Sequence, residues 1–317
     1  MKVLVIGGTG FIGAATCKEL MRRGFETVAA SRTPQPFGTF TSHVAFDRRD
    51  EDGLARVLGE VRPDVLLDLA CHQPGEVRAV LRHFHGGRYV LASTGAVYPD
   101  LRGRPAREGD FHPPAGEVPE GPLGYAEGKR WCEVLLARSR DMEWAVVRPP
   151  AVLGAGDPTG RIAAYFQRVD DGEPLLVPAD SFERPAGLAW VRDVGYCLAL
   201  AADLRRPAGG AYNVAFEGVS VKLLIEGIAA LMGREPRLVP VPFASLPEGA
   251  APYGPDPARP GGLAVGRARA ELGFEPGPLE EALAETMAWY RVRRPRHPGY
   301  ANRAAELEIA ARGPHQP

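Results

Sequence analysis

Along the first 150 positions, short runs of consecutive apolar residues alternate with longer stretches in which apolar residues recur at helical spacing. Residues 2–6 (Lys-Val-Leu-Val-Ile) form one such run, as a strand covered on both faces of a parallel sheet requires. Glycines follow at once. A helix is predicted over 11–23, ending near Gly24, and a second strand over 26–31. The alternation continues with a strand at 43–47, a helix at 50–60, a strand at 65–69, a helix at 76–84 and a strand at 89–93. A further helix carries Lys129 and leads into a strand at 144–148. Strands and helices in this order predict a doubly wound parallel α/β sheet built from residues 1–150.

The pattern changes after Arg148-Pro149-Pro150, where glycine and proline become frequent and the apolar runs shorten. Strands are predicted at 175–177, 188–191, 211–215 and 237–241. Helices are predicted at 194–202, at 221–232 with Gly233 as a C-terminal stop, and at 279–290. Residues 245–262 read as a Pro/Gly-rich surface loop or lid. Residues 151–290 are therefore expected to form a smaller α+β substrate-binding region, partly interleaved with the first. Residues 291–317 form a tail that opens with the basic run from Arg291 to His297, a solvated face, and then turns helical.

Composition narrows the class. The chain has 317 residues, 45% hydrophobic and 24% charged, with a net charge of -1. Such a balance suits a soluble globular chain and gives no global attraction for nucleic acid or an anionic membrane. No apolar run is long enough to span a bilayer, and the N-terminus reads as a strand and not as a leader. Cys17, Cys71, Cys132 and Cys197 are scattered, which predicts buried thiols in a reducing cytoplasm. No metal site is predicted, since His83 and His85 stand alone near a helix end.

The candidate chemistry lies in three places. Gly7-Gly8-Thr9-Gly10-Phe11-Ile12-Gly13 joins the first strand to the first helix, the context in which a glycine loop brings backbone close to a dinucleotide pyrophosphate. Tyr125 and Lys129 are four apart, hence on one helix face. A free tyrosine, with a pKa near ~10, is a poor base at neutral pH. A neighbouring ammonium and a cationic nicotinamide favour its phenolate. Ser93 and Thr94 end the strand about thirty residues before Tyr125. A dinucleotide loop, a hydroxyl and a Tyr-x-x-x-Lys, in that order, are the parts of a hydride-transfer site.

These residues resemble the extended short-chain dehydrogenases/reductases, the NAD-dependent epimerase/dehydratase family, over about residues 1–290. Gly7, Gly10 and Gly13 match the family's Gly-x-x-Gly-x-x-Gly, and Thr94-Gly95-Ala96-Val97-Tyr98 its Ser/Thr-x-x-Val-Tyr. Tyr125 and Lys129 match its catalytic pair. The resemblance implies a Rossmann-type fold with Thr94, Tyr125 and Lys129 catalytic. It implies cofactor contacts from Gly7, Gly10, Phe11, Ile12, Gly13, Ser31, Arg32, Leu69, Ala70, Tyr125 and Lys129. Asp47 would meet the adenine, and Pro149, in the matching segment 147–154, would close over the nicotinamide.

Departures from the family pattern bear on the reaction. Ser31 and Arg32 stand where NAD-preferring members place an Asp, and a guanidinium suits a 2′-phosphate. NADP is therefore favoured over NAD. Gly95 and Ala96 occupy positions that carry acids in dehydratases and a Glu in decarboxylases, which argues against both reactions. The arginine that meets the diphosphate of nucleotide sugars is replaced by Ala186, leaving Arg184, Arg192, Arg161 or Arg259 as substitutes. Ser93 and Thr94 would complete the substrate contacts. The segment 70–88 is short, as in a subgroup that includes chloroplast stem-loop RNA-binding proteins. Those often lack the tyrosine that is present here.

The expected function is thus an NAD(P)-dependent oxidoreductase or epimerase acting on a hydroxyl or keto carbon, with nucleotide sugars among the substrate classes the resemblance admits. A slight preference goes to an NADPH-dependent ketoreductase. The alternatives are a sugar-nucleotide epimerase with tightly held NAD and, in another class, a nucleic-acid-binding protein on the same scaffold. A homodimer is common in such a family.

Overall fold

A computed structural model of the protein describes residues 1–34, 38–252 and 261–312. Its first strand, β1 (Lys2–Ile6), runs through the glycine loop into α1 (Phe11–Arg22) and β2 (Glu26–Ser31). Then come β3 (Ser42–Ala45), α2 (Glu51–Val61), β4 (Val65–Asp68), α3 (Pro74–His83) and β5 (Arg88–Ala92). Helix α4 (Tyr125–Ala137) precedes β6 (Glu143–Arg148). The second half contributes β7 (Ala151–Leu153), α5 (Arg161–Asp170), β8 (Leu175–Pro178), β9 (Leu188–Trp190), α6 (Val191–Ala202) and β10 (Gly210–Asn213). Next are α7 (Val221–Met232), β11 (Leu238–Val241), α8 (Leu279–Arg293) and α9 (Arg303–Arg312).

Seven parallel strands form the main sheet, in the order β10-β6-β5-β4-β1-β2-β3. The order reverses at β1, so a crevice opens beyond the carboxyl ends of β1 and β4, where ligands bind in open α/β sheets. The middles of β1 and β4 are apolar throughout. Val3, Leu4, Val5, Val65, Leu66 and Leu67 are fully buried. Odd residues of β1 face the layer of α1 and α6, and even ones face α2, α3 and α4.

The sequence suggests a division near residue 150. In the structure, α6 and β10 come from beyond it, and they pack against α1 and extend the large sheet beside β6. Gly195 lets α6 approach α1, because a Cβ there would lie 2.8 Å from the Ala15 backbone. Two small parallel pairs, β8 with β11 and β7 with β9, support the remaining core with α5, α7 and α8.

Some expectations need correction. The strand at 43–47 stops at Ala45, so Asp47 lies beyond it on a turn. The helix of 194–202 begins at Val191, and β7 and α5 were not anticipated. Arg291, Arg293, Arg294 and Arg296 are exposed, but the tail behind them is docked. Arg168 of α5 is fully buried against Glu306 of α9, and Arg303 pairs with Asp171 at 2.7 Å. Part of the 245–262 loop, including Arg259, lies outside the described residues.

Candidate active site

The glycine loop is shaped by backbone contacts that side chains would block. Gly7 has φ +80°, and its N–H donates to Ala30 O at 2.9 Å. A Cβ on Gly13 would lie 2.1 Å from Gly7 O, so only glycine lets the first turn of α1 sit on the loop. Gly10 caps α1 without a side-chain bond, and no acidic residue occupies the first turn. The helix N–H groups and dipole are therefore open to a pyrophosphate. Leu69 and Ala70 lie under Gly7, within 3.2 and 3.9 Å of where its Cβ would stand. Phe11 and Ile12 begin α1 half-buried, with Phe11 against Gly154. These features fit a dinucleotide.

The second part of the site is the junction of α4 with the loop after β4. Lys129 is 2% exposed, and its Nζ donates to Cys71 O at 2.5 Å and to Ala92 O at 2.6 Å. An ammonium has three donors, so one N–H is left for a ligand. Tyr125 begins α4 one turn earlier and is 54% exposed. Its ring lies 5.9 Å from that of His72, centroid to centroid. Gln73 clamps the approach to α4 by exchanging two 3.0 Å bonds with the Leu123 backbone. Thr94, nearly buried, follows β5, and its Oγ1 accepts from Ala96 N at 3.2 Å, which leaves the hydroxyl proton to donate. Arg130 joins α4 to the turn after Thr94 by donating to Val97 O at 2.7 Å.

His72 and Gln73 were missed by sequence reasoning, because a loop residue has no periodicity to betray its direction. His72 is solvent-accessible, but partial burial of its ring, followed by the Lys129 ammonium, lowers its pKa. It is thus a neutral imidazole beside Tyr125 at neutral pH.

Ser93 does not face the crevice. Its hydroxyl donates to the buried carboxylate of Glu133, which also holds Arg148, and Arg148 Nη1 donates to Tyr98 Oη at 2.9 Å. Tyr98 donates to Asn213 Oδ1 at 2.6 Å. This network ties β5, α4, β6 and β10 beneath Thr94. Pro149 O accepts from Gly95 N at 2.7 Å, which fixes the segment after β6 against the same turn.

Ser31 ends β2 and Arg32 follows it. Ser31 Oγ donates to Thr33 O at 2.9 Å and lies 2.8 Å from His43 Nε2. Arg32 is exposed, with no hydrogen bond or ion pair among the described residues. Asp47 is exposed and accepts from Arg49 N at 2.9 Å.

The substrate arginines separate. The Arg192 guanidinium pairs with Glu285 at 2.7 Å and Glu281 at 3.5 Å on α8 and stacks on Trp190. Arg184 is exposed beside Gly103. Leu263 lies against Gly95 and lines a cavity of about 400 Å³ with Arg104, Arg107, Pro185 and Phe216.

The described residues bring together no cluster of three His, Cys, Asp or Glu side chains that could hold a metal ion. No helix among them is long and apolar enough to cross a membrane.

Comparison with known proteins agrees with this geometry. A family model described as the NAD dependent epimerase/dehydratase family matches residues 3–215. The dTDP-4-dehydro-6-deoxy-D-allose reductase of a Streptomyces species is 27% identical over 334 positions, covering 92% of this chain and 97% of that one. The chloroplast stem-loop binding protein of 41 kDa b from Arabidopsis thaliana is 26% identical over 56% of this chain. That match spans 49%, about half, of the plant protein's length. The UDP-glucose 4-epimerase of Thermus thermophilus, solved as a complex with NAD, has a TM-score of 0.69 at 25% identity and covers 92% of this chain and 100% of that one. The chain belongs to the NAD-dependent epimerase/dehydratase family, as an NAD(P)-dependent enzyme of the extended short-chain reductase and epimerase type.

Proposed function

We propose that the enzyme is an NADPH-dependent ketoreductase, acting on a hydroxyl or keto carbon of a small substrate in the nucleotide-sugar class. The observation that carries this reading is the α4 junction, where main-chain oxygens of Cys71 and Ala92 pin Lys129 one turn below Tyr125. A bound nicotinamide supplies or accepts the hydride. Thr94 donates its hydroxyl proton to the substrate oxygen and so orients it. Tyr125 gives a proton to that oxygen in reduction and takes it back in oxidation. Lys129 offers its remaining N–H to the nicotinamide ribose, and its charge favours the tyrosine phenolate.

The preference for NADPH rests on Arg32, exposed and unpaired among the described residues, and on the lack of a carboxylate at the end of β2. The substrate class rests on the Streptomyces reductase and on the cavity beside Gly95, with Arg184 a candidate for a diphosphate. The likeness to the T. thermophilus epimerase favours a second reading, epimerisation with NAD retained through the cycle.

The test is to denature the protein as purified, chromatograph the released nucleotide, and titrate the emptied protein with NADH and NADPH. An empty site that prefers NADPH supports the reductase. Tightly held NAD overturns it in favour of the epimerase. Binding of neither nucleotide overturns both, and a salt titration of RNA binding then tests the nucleic-acid alternative.

A further inference from the structure

His43 has no part in the chemistry described above, yet it is built into the cofactor's adenosine corner. In the parallel register of β2 and β3 it pairs with Ala29. Its side chain therefore leaves the sheet on the face shared by Ala29 and Ser31. Gly8 of the dinucleotide loop rests on that face, since a Cβ there would lie 3.0 Å from Ala29 Cβ. With the Ser31 hydroxyl proton given to Thr33 O, Ser31 Oγ can only accept from the imidazole. His43 Nε2 then carries the hydrogen, and Nδ1 holds a lone pair.

Few charges surround this ring. From β2 there is Arg32, and from beyond β3 there is Asp47, whose carboxylate is engaged by Arg49 N. The adjoining segment 38–41 is uncharged and contributes Phe40, whose ring lies 5.7 Å from that of His43. No carboxylate contacts the imidazole among the described residues. Burial lowers its pKa, so the ring is neutral before a ligand arrives.

We propose that His43 is a specificity-determining residue for the 2′-phosphate of NADP, taking up a proton from solvent as the phosphate docks and holding Ser31 Oγ as its relay. One N–H bond forms, at Nδ1, and one O–H bond of a solvent hydronium or buffer acid breaks. The solvent proton goes to Nδ1, and the Ser31 hydroxyl turns from Thr33 O to a phosphate oxygen. A phosphate dianion at this corner favours the imidazolium and raises the pKa of His43 from its burial-lowered position towards neutrality. A 2′-hydroxyl brings no such charge, so NAD leaves His43 neutral. The inference rests on the NADP reading of Ser31 and Arg32.

The test is calorimetric titration of the emptied protein with NADP⁺ and with NAD⁺, between about pH 6.5 and 8.5, in phosphate-free buffers of different ionisation enthalpy. The expected result is that NADP⁺ binding takes up a large fraction of one proton near neutrality and NAD⁺ binding takes up none. By linkage, NADP⁺ affinity then weakens by up to about tenfold per pH unit as the ring loses its proton. In His43→Gln the uptake vanishes, NADP⁺ affinity falls at least about fivefold and NAD⁺ affinity stays as in the wild type. NADP⁺ binding without proton uptake, or an unchanged NADP⁺/NAD⁺ ratio in His43→Gln, overturns the role of His43 alone. A wild type that binds NAD⁺ and refuses NADP⁺ overturns the NADP reading and this inference with it. Should His43→Gln fail to bind NAD⁺, the wild-type proton uptake decides.

Discussion

An ammonium as deeply buried as that of Lys129 must be hydrogen-bonded, and the two carbonyl oxygens that hold it come from Cys71 and Ala92, residues that flank the crevice. Tyr125, one turn away, is exposed, with its ring beside that of His72. If Tyr125 is the general acid/base, Tyr125→Phe removes one proton-transfer group and little else. We expect its turnover to fall at least ~100-fold, with cofactor affinity within a few-fold of wild type. Steady-state assays of any ketone substrate found for the enzyme, paired with a nucleotide titration, check this. Retained turnover would remove Tyr125 from the mechanism. At this scale the residues most legible in the sequence are those whose chemistry and spacing coincide: the glycines, Thr94, Tyr125 and Lys129. His72 and His43 were not legible, since one lies on a loop and the other's importance depends on a cross-strand neighbour, Ser31. Ser93 adjoins Thr94, but successive residues near a strand end diverge, and the Ser93 hydroxyl turns to buried Glu133.

The element that organises the site is α4, whose seat on the loop after β4 depends on Gly128. A Cβ there would stand 2.4 Å from His72 O, a backbone atom with no room to yield. Gly128→Ala thus sets two effects against each other. Alanine favours a helix over glycine by about 1 kcal/mol, whereas overpacking against main chain costs about 1–3 kcal/mol and pushes α4 away from Cys71 O. We expect the clash to win, giving a lower melting temperature and weakened cofactor binding, because the next residue, Lys129, is held by Cys71 O in the same loop. A variant as stable as the wild type, with unchanged affinity, would show that the α4 seat is not tight. Elements with clear periodicity could be read directly: Lys2–Ile6, Glu26–Ser31 and Val221–Met232 have the bounds the pattern predicts. The short strand Ala151–Leu153 sits between Pro150 and Gly154 and is too brief to show a period. Helix Arg161–Asp170 escaped because a pattern reading assigns Arg168 to solvent, whereas it is buried against Glu306.

At the scale of the whole molecule, the second half of the chain is held to the main sheet by polar contacts that no periodicity announces. Asp193, at the start of α6, accepts from Gly277 N just before α8, at 3.1 and 3.0 Å from its two oxygens. Trp190 packs beside the same glycine. Burial raises the Asp193 pKa to about 6, against the backbone bond that lowers it and with a smaller push from Glu281. A carboxyl whose pKa is higher folded than unfolded binds its proton more tightly in the native state. Its contribution to stability is fully present below about pH 4 and is lost as pH rises through about 6. At neutral pH the fold therefore carries a strained carboxylate, at a cost of up to about 3 kcal/mol. Asn keeps an oxygen for Gly277 N and removes the charge. Asp193→Asn should accordingly melt higher than the wild type at pH 7 to 8, with the difference shrinking to nothing towards pH 4. Melting curves of both proteins across that range check the sign. A variant less stable at pH 8, by a margin that does not change with pH, would mean that Asp193 needs both oxygens at Gly277 and that its charge is not a cost to the fold.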